Sequence, residues 1–207
     1  MIKLVIFDLW KTLAYRQVPY SSTSKILEET ALNIPKDKFI KIFESSLQTK
    51  RWKSKYRAYR NLCHNMGLLE TRENIDLLIN IRDKAEAKTE LYPYTIQLLK
   101  QLHKLNYKTA LISNSSIFAI KQIKKTKILD YIDYPLFSFQ VGVIKPDLKI
   151  YRKLLKIAKC KPSEAIMIGD KLGDDVLPPR QLGMHSIHLT TYPKLKKELK
   201  KFNILIK

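Results

Sequence analysis

Short, almost unbroken apolar runs alternate along this chain with amphipathic stretches of helical period, and that alternation admits few folds. The first run, Ile2-Lys3-Leu4-Val5-Ile6-Phe7, closes on Asp8. Others are Thr109-Ala110-Leu111-Ile112-Ser113, Leu136-Phe137-Ser138-Phe139 and Ala165-Ile166-Met167-Ile168-Gly169, with a weaker one at Ser186-Ile187-His188-Leu189. Nearly continuous apolar runs are expected of strands covered on both faces. Helical patterns separate them at 95–105, 117–125, 149–159 and 174–181. This order predicts an α/β fold, a Rossmann-like parallel sheet with right-handed crossovers and ligands at the carboxyl ends of its strands.

One interval breaks the alternation. Residues 15–90 carry no convincing strand, only long amphipathic stretches such as 24–32, 36–47 and 75–87. The pattern predicts an all-helical module inserted after the first strand, with 1–14 and 91–207 forming the α/β core. Leu91-Tyr92-Pro93-Tyr94 reads as the return joint, because proline suits the start of a new helix. The leucines at 195 and 199 in the lysine-rich tail predict a terminal surface helix.

Composition narrows the class. With 207 residues, 45% hydrophobic and 28% charged, the chain can bury a core and is not of disordered type. No stretch approaches the ~20 apolar residues of a membrane span. The apolar N-terminus carries Asp8 and lacks a cleavage site, so it reads as a strand and not a signal peptide. Cys63 and Cys160 form no CxxC pair, which points to a reducing cytoplasm.

Polar residues cluster where the predicted strands end: Asp8 with Thr12, Ser113-Asn114, Lys145-Pro146 in the loop after the third run, and Gly169-Asp170 followed by Asp174-Asp175. Any one of these could be a helix cap or a turn former. Four in this order are hard to explain by capping alone.

In combination, Asp8-Leu9-Trp10-Lys11-Thr12-Leu13, Leu111-Ile112-Ser113-Asn114, Lys145-Pro146 and Ile168-Gly169-Asp170 with Asp175 resemble the four motifs of the haloacid dehalogenase-like hydrolase superfamily. The helical insert resembles that family's cap. The resemblance implies that Asp8 is a nucleophile forming a covalent ester that water then hydrolyses. It implies oxyanion donors at the Ser113 hydroxyl and the Asn114 backbone N–H, and charge neutralisation by Lys145. It further implies Mg²⁺ held by Asp8, Asp170 and the backbone carbonyl of Trp10, with Asp175 or Asp174 as the outer acid. The expected partner is a small anionic substrate, a phosphate ester.

The chain departs from the family at two motif positions. Family phosphatases carry a second Asp two residues after the nucleophile, as acid for the leaving oxygen, and here that residue is Trp10. Indole cannot replace it, and loss of acid catalysis costs ~10²–10⁴-fold in rate. Three readings stay open: a phosphatase for good leaving groups such as acyl or aryl phosphates, a 2-haloacid dehalogenase, whose leaving halide needs no proton, and a binding protein without turnover. The retained Gly-Asp pair favours the phosphatase. The second departure is Lys11, where glycine is usual; it either meets an anionic substrate or faces solvent.

The net charge of +20 has two readings. It could serve nucleic acid or an anionic substrate, or it could cover solvated helix faces. Lys outnumbers Arg, which favours the second, since bidentate phosphate recognition prefers Arg. The segment 51–60 interleaves aromatics with basic residues, as single-strand nucleic-acid sites do. Trp52, Tyr56, Tyr59 and Cys63 share one helical face, however, which predicts a cap helix packing that face inward. Arg57 and Arg60 are then candidates for the substrate's anionic part. Nothing in the chain fixes an oligomeric state.

Overall fold

The computed structural model describes residues 1–206. Five parallel strands form the core: β1 (Leu4–Phe7), β4 (Lys108–Ser113), β5 (Tyr134–Phe137), β6 (Ala165–Gly169) and β7 (His185–His188), in the order β5-β4-β1-β6-β7. The pleat divides each strand between two cores. Val5, Phe7, Leu111, Ile166 and Ile168 pack with Leu98, Leu99 and Leu102 of α5 (Thr95–Lys104). Leu4, Ile6, Ala110, Ile112 and Met167 pack with Tyr151, Leu154 and Leu155 of α8 (Leu148–Ala158). Burial on both faces is why these runs show no polar alternation.

From β1 the chain winds outward to β4 and β5, then crosses to β6 and β7 on the other side. The direction of winding therefore reverses at β1, the place where open α/β sheets form a ligand crevice. In register, Phe7 lies beside Leu111 of β4 and Ile168 of β6. Asp8, the end of β4 and the end of β6 thus reach the same edge.

Between β1 and β4 lies the insertion. β2 (Ala14–Arg16) pairs antiparallel with β3 (Thr89–Leu91), so the departing and returning strands form a two-stranded ribbon. Three-residue strands are too short for periodicity to register, and this ribbon at the edges of 15–90 is absent from the sequence reading. Four helices span the ribbon: α1 (Ser22–Thr30), α2 (Lys36–Gln48), α3 (Lys55–Met66) and α4 (Arg72–Ala87). Ser21, Ser54 and Thr71 cap α1, α3 and α4 by accepting backbone N–H bonds, and Gly67 ends α3 at φ 73°. Ile26, Phe39, Phe43, Leu47, Tyr59, Leu62, Ile75 and Leu78 form a core of the insert's own. The Tyr15 ring leans on Tyr92 at a tilt, Tyr92 stacks on Tyr94 and Tyr94 on Tyr192, a row of rings from the ribbon to α10 (Tyr192–Lys200), and the Tyr94 hydroxyl donates to the Thr12 carbonyl at 2.6 Å.

Two further stretches differ from expectation. The run at 136–139 is half strand and half helix: after β5, α7 (Ser138–Val141) begins because the Gln140 side chain accepts the Phe137 N–H at 2.9 Å. The helical pattern at 174–181 is also split. Leu172–Val176 makes a wide turn in which the Leu177 N–H reaches back to the Leu172 carbonyl, and α9 (Leu177–Gln181) follows. Pro178 and Pro179 fit that arrangement at the first turn of α9, where N–H groups have no helical partner. The remaining helix, α6 (Ile120–Lys125), covers the sheet through Ile123.

Phe39 is fully buried in the insert. Phe39→Ala is expected to lower stability by about 3–5 kcal/mol, read by urea denaturation. Limited proteolysis should show the first new cuts within residues 22–87.

Candidate active site

The carboxyl edge of the sheet gathers charge that the core would otherwise exclude. Lys145, 4% exposed, donates from Nζ to Asp8 Oδ1 and Asp175 Oδ1, both at 2.6 Å. Its backbone is clamped by Asn114, whose Oδ1 accepts the Lys145 N–H at 2.8 Å while Nδ2 donates to the Lys145 carbonyl at 3.2 Å. Asp175 accepts the Lys171 N–H at 3.0 Å, and the Tyr151 hydroxyl holds the Asp174 carbonyl. Gly169 is required by proximity: a Cβ there would lie 2.3 Å from Asp175 Cγ. This explains the Gly-Asp pair at the end of β6.

Burial pushes the Asp8 carboxyl up to about 7, reinforced by Asp175 and Asp170 and opposed by Lys145. Asp170 is raised by burial and then by Asp175. Burial would lower Lys145, but Asp8 and Asp175 outweigh it and hold the ammonium above its usual range. Carboxylate oxygens of Asp8, Asp170 and Asp175 lie within 4.8 Å of one another. Three carboxylates against one ammonium leave two negative charges, and the donors are all hard oxygens, so the set fits a divalent cation such as Mg²⁺. Asp174 lies outside that triad and pairs with Lys171 at 3.2 Å.

Over the cluster lies a cavity of about 590 Å³, lined from the core by Asp8, Trp10, Lys11, Asn114, Lys145, Asp170, Asp174 and Asp175. The insert and ribbon add Arg16, Tyr20, Phe43, Glu44, Gln48 and Arg82. The Trp10 indole donates to Ser115 Oγ at 2.9 Å, and Ser115 Oγ lies 2.8 Å from Ser113 Oγ. Ser113 and Thr12 are fully buried beneath the cavity wall, and Thr12 Oγ1 has no hydrogen-bond partner among the described residues. Lys11 adopts φ 62°, the left-handed conformation that explains why glycine suits its position.

Arg57 and Arg60 do not reach this cavity. Ala58, Tyr59, Leu62 and Cys63 bury the inner face of α3, so both arginines stand on its outer face, where Arg60 pairs with Glu70 at 2.6 Å. Tyr56, expected to share the inward stripe, is 42% exposed. The arginines at the cavity are instead Arg16 and Arg82. A signal for Arg82 was present in the sequence: it falls on the apolar stripe of α4 with Ile75, Leu78 and Ala85, and Glu86 follows four residues later. Glu44, Gln48 and Lys171 carried no such signal.

A parallel sheet whose carboxyl edge presents a buried carboxylate–lysine–carboxylate centre under a helical insert is an arrangement suited to hydrolase chemistry on an anionic group. The profile of the haloacid dehalogenase-like hydrolases matches residues 5–189, and the chain belongs to that family. It is 25% identical over 196 residues to a glyceraldehyde 3-phosphate phosphatase of Methanothermobacter thermautotrophicus, covering 90% of this chain and 85% of that protein. With haloacid dehalogenase-like hydrolase domain-containing protein 3 of Xenopus laevis it shares 34% identity over 107 residues, spanning 51% of this chain and less than half, 44%, of that relative. Among solved structures, a family enzyme from Bacteroides thetaiotaomicron crystallised with magnesium and inorganic phosphate superposes with a TM-score of 0.68, at 19% identity and with 94% and 99% of the two chains covered. A 2-haloacid dehalogenase from Pseudomonas syringae gives 0.61 at 23% identity, covering 91% and 86%.

The Asp8 carboxyl titrates near 7 in the folded chain against 3.8 for a free carboxyl. Between these values the native state binds the extra proton, so this group's contribution to stability falls as pH rises and is lost above about 7. Asp8→Asn, which mimics the protonated form, is expected to stabilise the metal-free protein at pH 8 by about 1–3 kcal/mol. The gain should fade towards pH 4, read by urea denaturation in EDTA.

Proposed function

We propose that the chain is a Mg²⁺-dependent phosphatase acting on a small phosphorylated molecule, with Asp8 as nucleophile. The observation that carries this reading is the buried Asp8–Lys145–Asp175 contact beside Asp170. An Asp8 oxygen attacks phosphorus, the bond from phosphorus to the leaving oxygen breaks, and the aspartyl phosphate is hydrolysed by water, which returns the carboxylate. Lys145 counters the burial that raises Asp8 and so favours its ionised, attacking form, and it offers positive charge to the phosphoryl oxygens. Asp8, Asp170 and Asp175 would hold Mg²⁺, which supplies neutralisation of the phosphoryl group's charge. The name of the archaeal relative, aligned over most of this chain, supports a phosphorylated substrate.

The four-helix insert is read as a cap that closes the cavity and selects the substrate. A reducing cytoplasm suits the free thiols of Cys63 and Cys160. Among the described residues no helix is long and apolar enough to cross a membrane.

Trp10 offers no proton to the leaving oxygen, so turnover should favour leaving groups that are stable as anions. Acetyl phosphate and p-nitrophenyl phosphate should be hydrolysed with Mg²⁺ and not in EDTA, and Asp8→Asn should lower kcat by at least ~10³-fold. Chloride release from 2-chloropropionate without metal would instead establish the dehalogenase reading, which Trp10 alone favours.

A further inference from the structure

The cavity has a second polar end, away from the nucleophile. Arg16 leaves the ribbon and lays its guanidinium over the Trp10 ring, with Cζ 3.5 Å from the centroid. Its Nε and Nη2 are buried without a hydrogen-bond partner among the described residues. No carboxylate pairs with it among the described residues, whereas its neighbour Arg82 is matched by Glu86 at 2.8 Å and also donates to Ser22 Oγ at 2.9 Å. Burial and the charge of Arg82 both press the Arg16 guanidinium well below its usual range, with only partial relief from Glu86. Gln48, 4% exposed, has an Oε1 with no hydrogen-bond partner among the described residues. All three residues line the same cavity as Asp8. Glu44 also lines it, but its carboxylate is engaged by Lys171 at 3.9 Å and by the Asn114 amide at 3.5 Å rather than by Arg16.

Two guanidiniums against one carboxylate leave a single positive charge buried at the cavity wall. A buried charge without a counter-ion is costly, and a planar fork of free N–H groups matches a carboxylate. From this, resting on the phosphatase reading, we infer that Arg16, flanked by Arg82 and Gln48, is a carboxylate subsite, and that the substrate is a phosphate ester bearing a carboxylate. One uncompensated charge suits a monoanion better than a second phosphate, which brings nearly two. Gln48 Oε1 would accept a hydroxyl of the same ligand. Trp10 acquires a role here: its indole, fixed through Ser115, is the platform that holds Arg16.

The test compares paired esters that differ only in the acid: 3-carboxyphenyl phosphate with phenyl phosphate, and 3-phosphoglycerate with glycerol 3-phosphate. The acid-bearing member should have a kcat/KM about 10-fold higher or more. Arg16→Gln should collapse that ratio towards one, and Arg16→Lys should restore part of it, since charge returns without the fork. Circular dichroism confirms folding of both variants. Calorimetric binding of each pair to Asp8→Asn reads the same preference without turnover, so a failed subsite is told apart from a failed phosphatase. Equal affinity for acid and neutral members, a ratio unmoved by Arg16→Gln, or a stronger preference for bisphosphates would each overturn the inference.

Discussion

One ammonium group organises this molecule. Lys145 lies between Asp8 and Asp175 at 2.6 Å from each, almost out of contact with water. Without it, two carboxylates would face each other at the closed end of the sheet with no cation between them, and their charges would repel. Its position is not fixed by its own strand, because it sits in the loop before α8. Asn114, at the end of β4, fixes it by bonding both backbone groups of residue 145. The end of one strand thus sets the charge state of another, and the parallel register at the carboxyl edge makes that possible.

The same edge explains which features were legible in the sequence. Asp8, Asn114, Asp170 and Asp175 each follow an apolar run closely, so the end of the run marks them as neighbours once the sheet is parallel. The helical insert was visible because 15–90 lacks the apolar runs found elsewhere. Its inner surface was not, because which side chain of a helix faces a cavity depends on packing against other helices. Arg57 and Arg60 carry the charge an anionic substrate needs, yet the apolar face of α3 turns them outward. Arg16 gave no pattern because it lies on a three-residue strand whose partner is some seventy residues distant. Ser113 shows another limit of strand-end reasoning: its hydroxyl meets Ser115 below the cavity wall and does not line the cavity.

Residues 10 and 11 concentrate the unusual chemistry. Lys11 holds a left-handed backbone at φ 62°, a conformation costing a non-glycine residue roughly 1–2 kcal/mol. Its ammonium lines the cavity and eases the ionisation of Asp170. A strained residue at a charged cavity is the kind of local cost that a site tolerates when the surrounding structure over-determines it. Here the Lys11 N–H bonds the Ala14 carbonyl at 2.7 Å, and Leu9 accepts from both Leu13 and Ala14, which closes the loop on itself.

Trp10 completes the consequence. At the position where the motif resemblance implies an acid, this chain has an aromatic face carrying an arginine. An acid at that position would have offered a proton to the leaving oxygen but also a counter-ion to Arg16, which would then have been satisfied internally. The indole leaves the guanidinium held in place yet unneutralised, so its charge remains available to a ligand. Proton donation and charge presentation at residue 10 are therefore alternatives, since one side chain cannot do both, and the ribbon that delivers Arg16 is the same one that joins the four helices to the core.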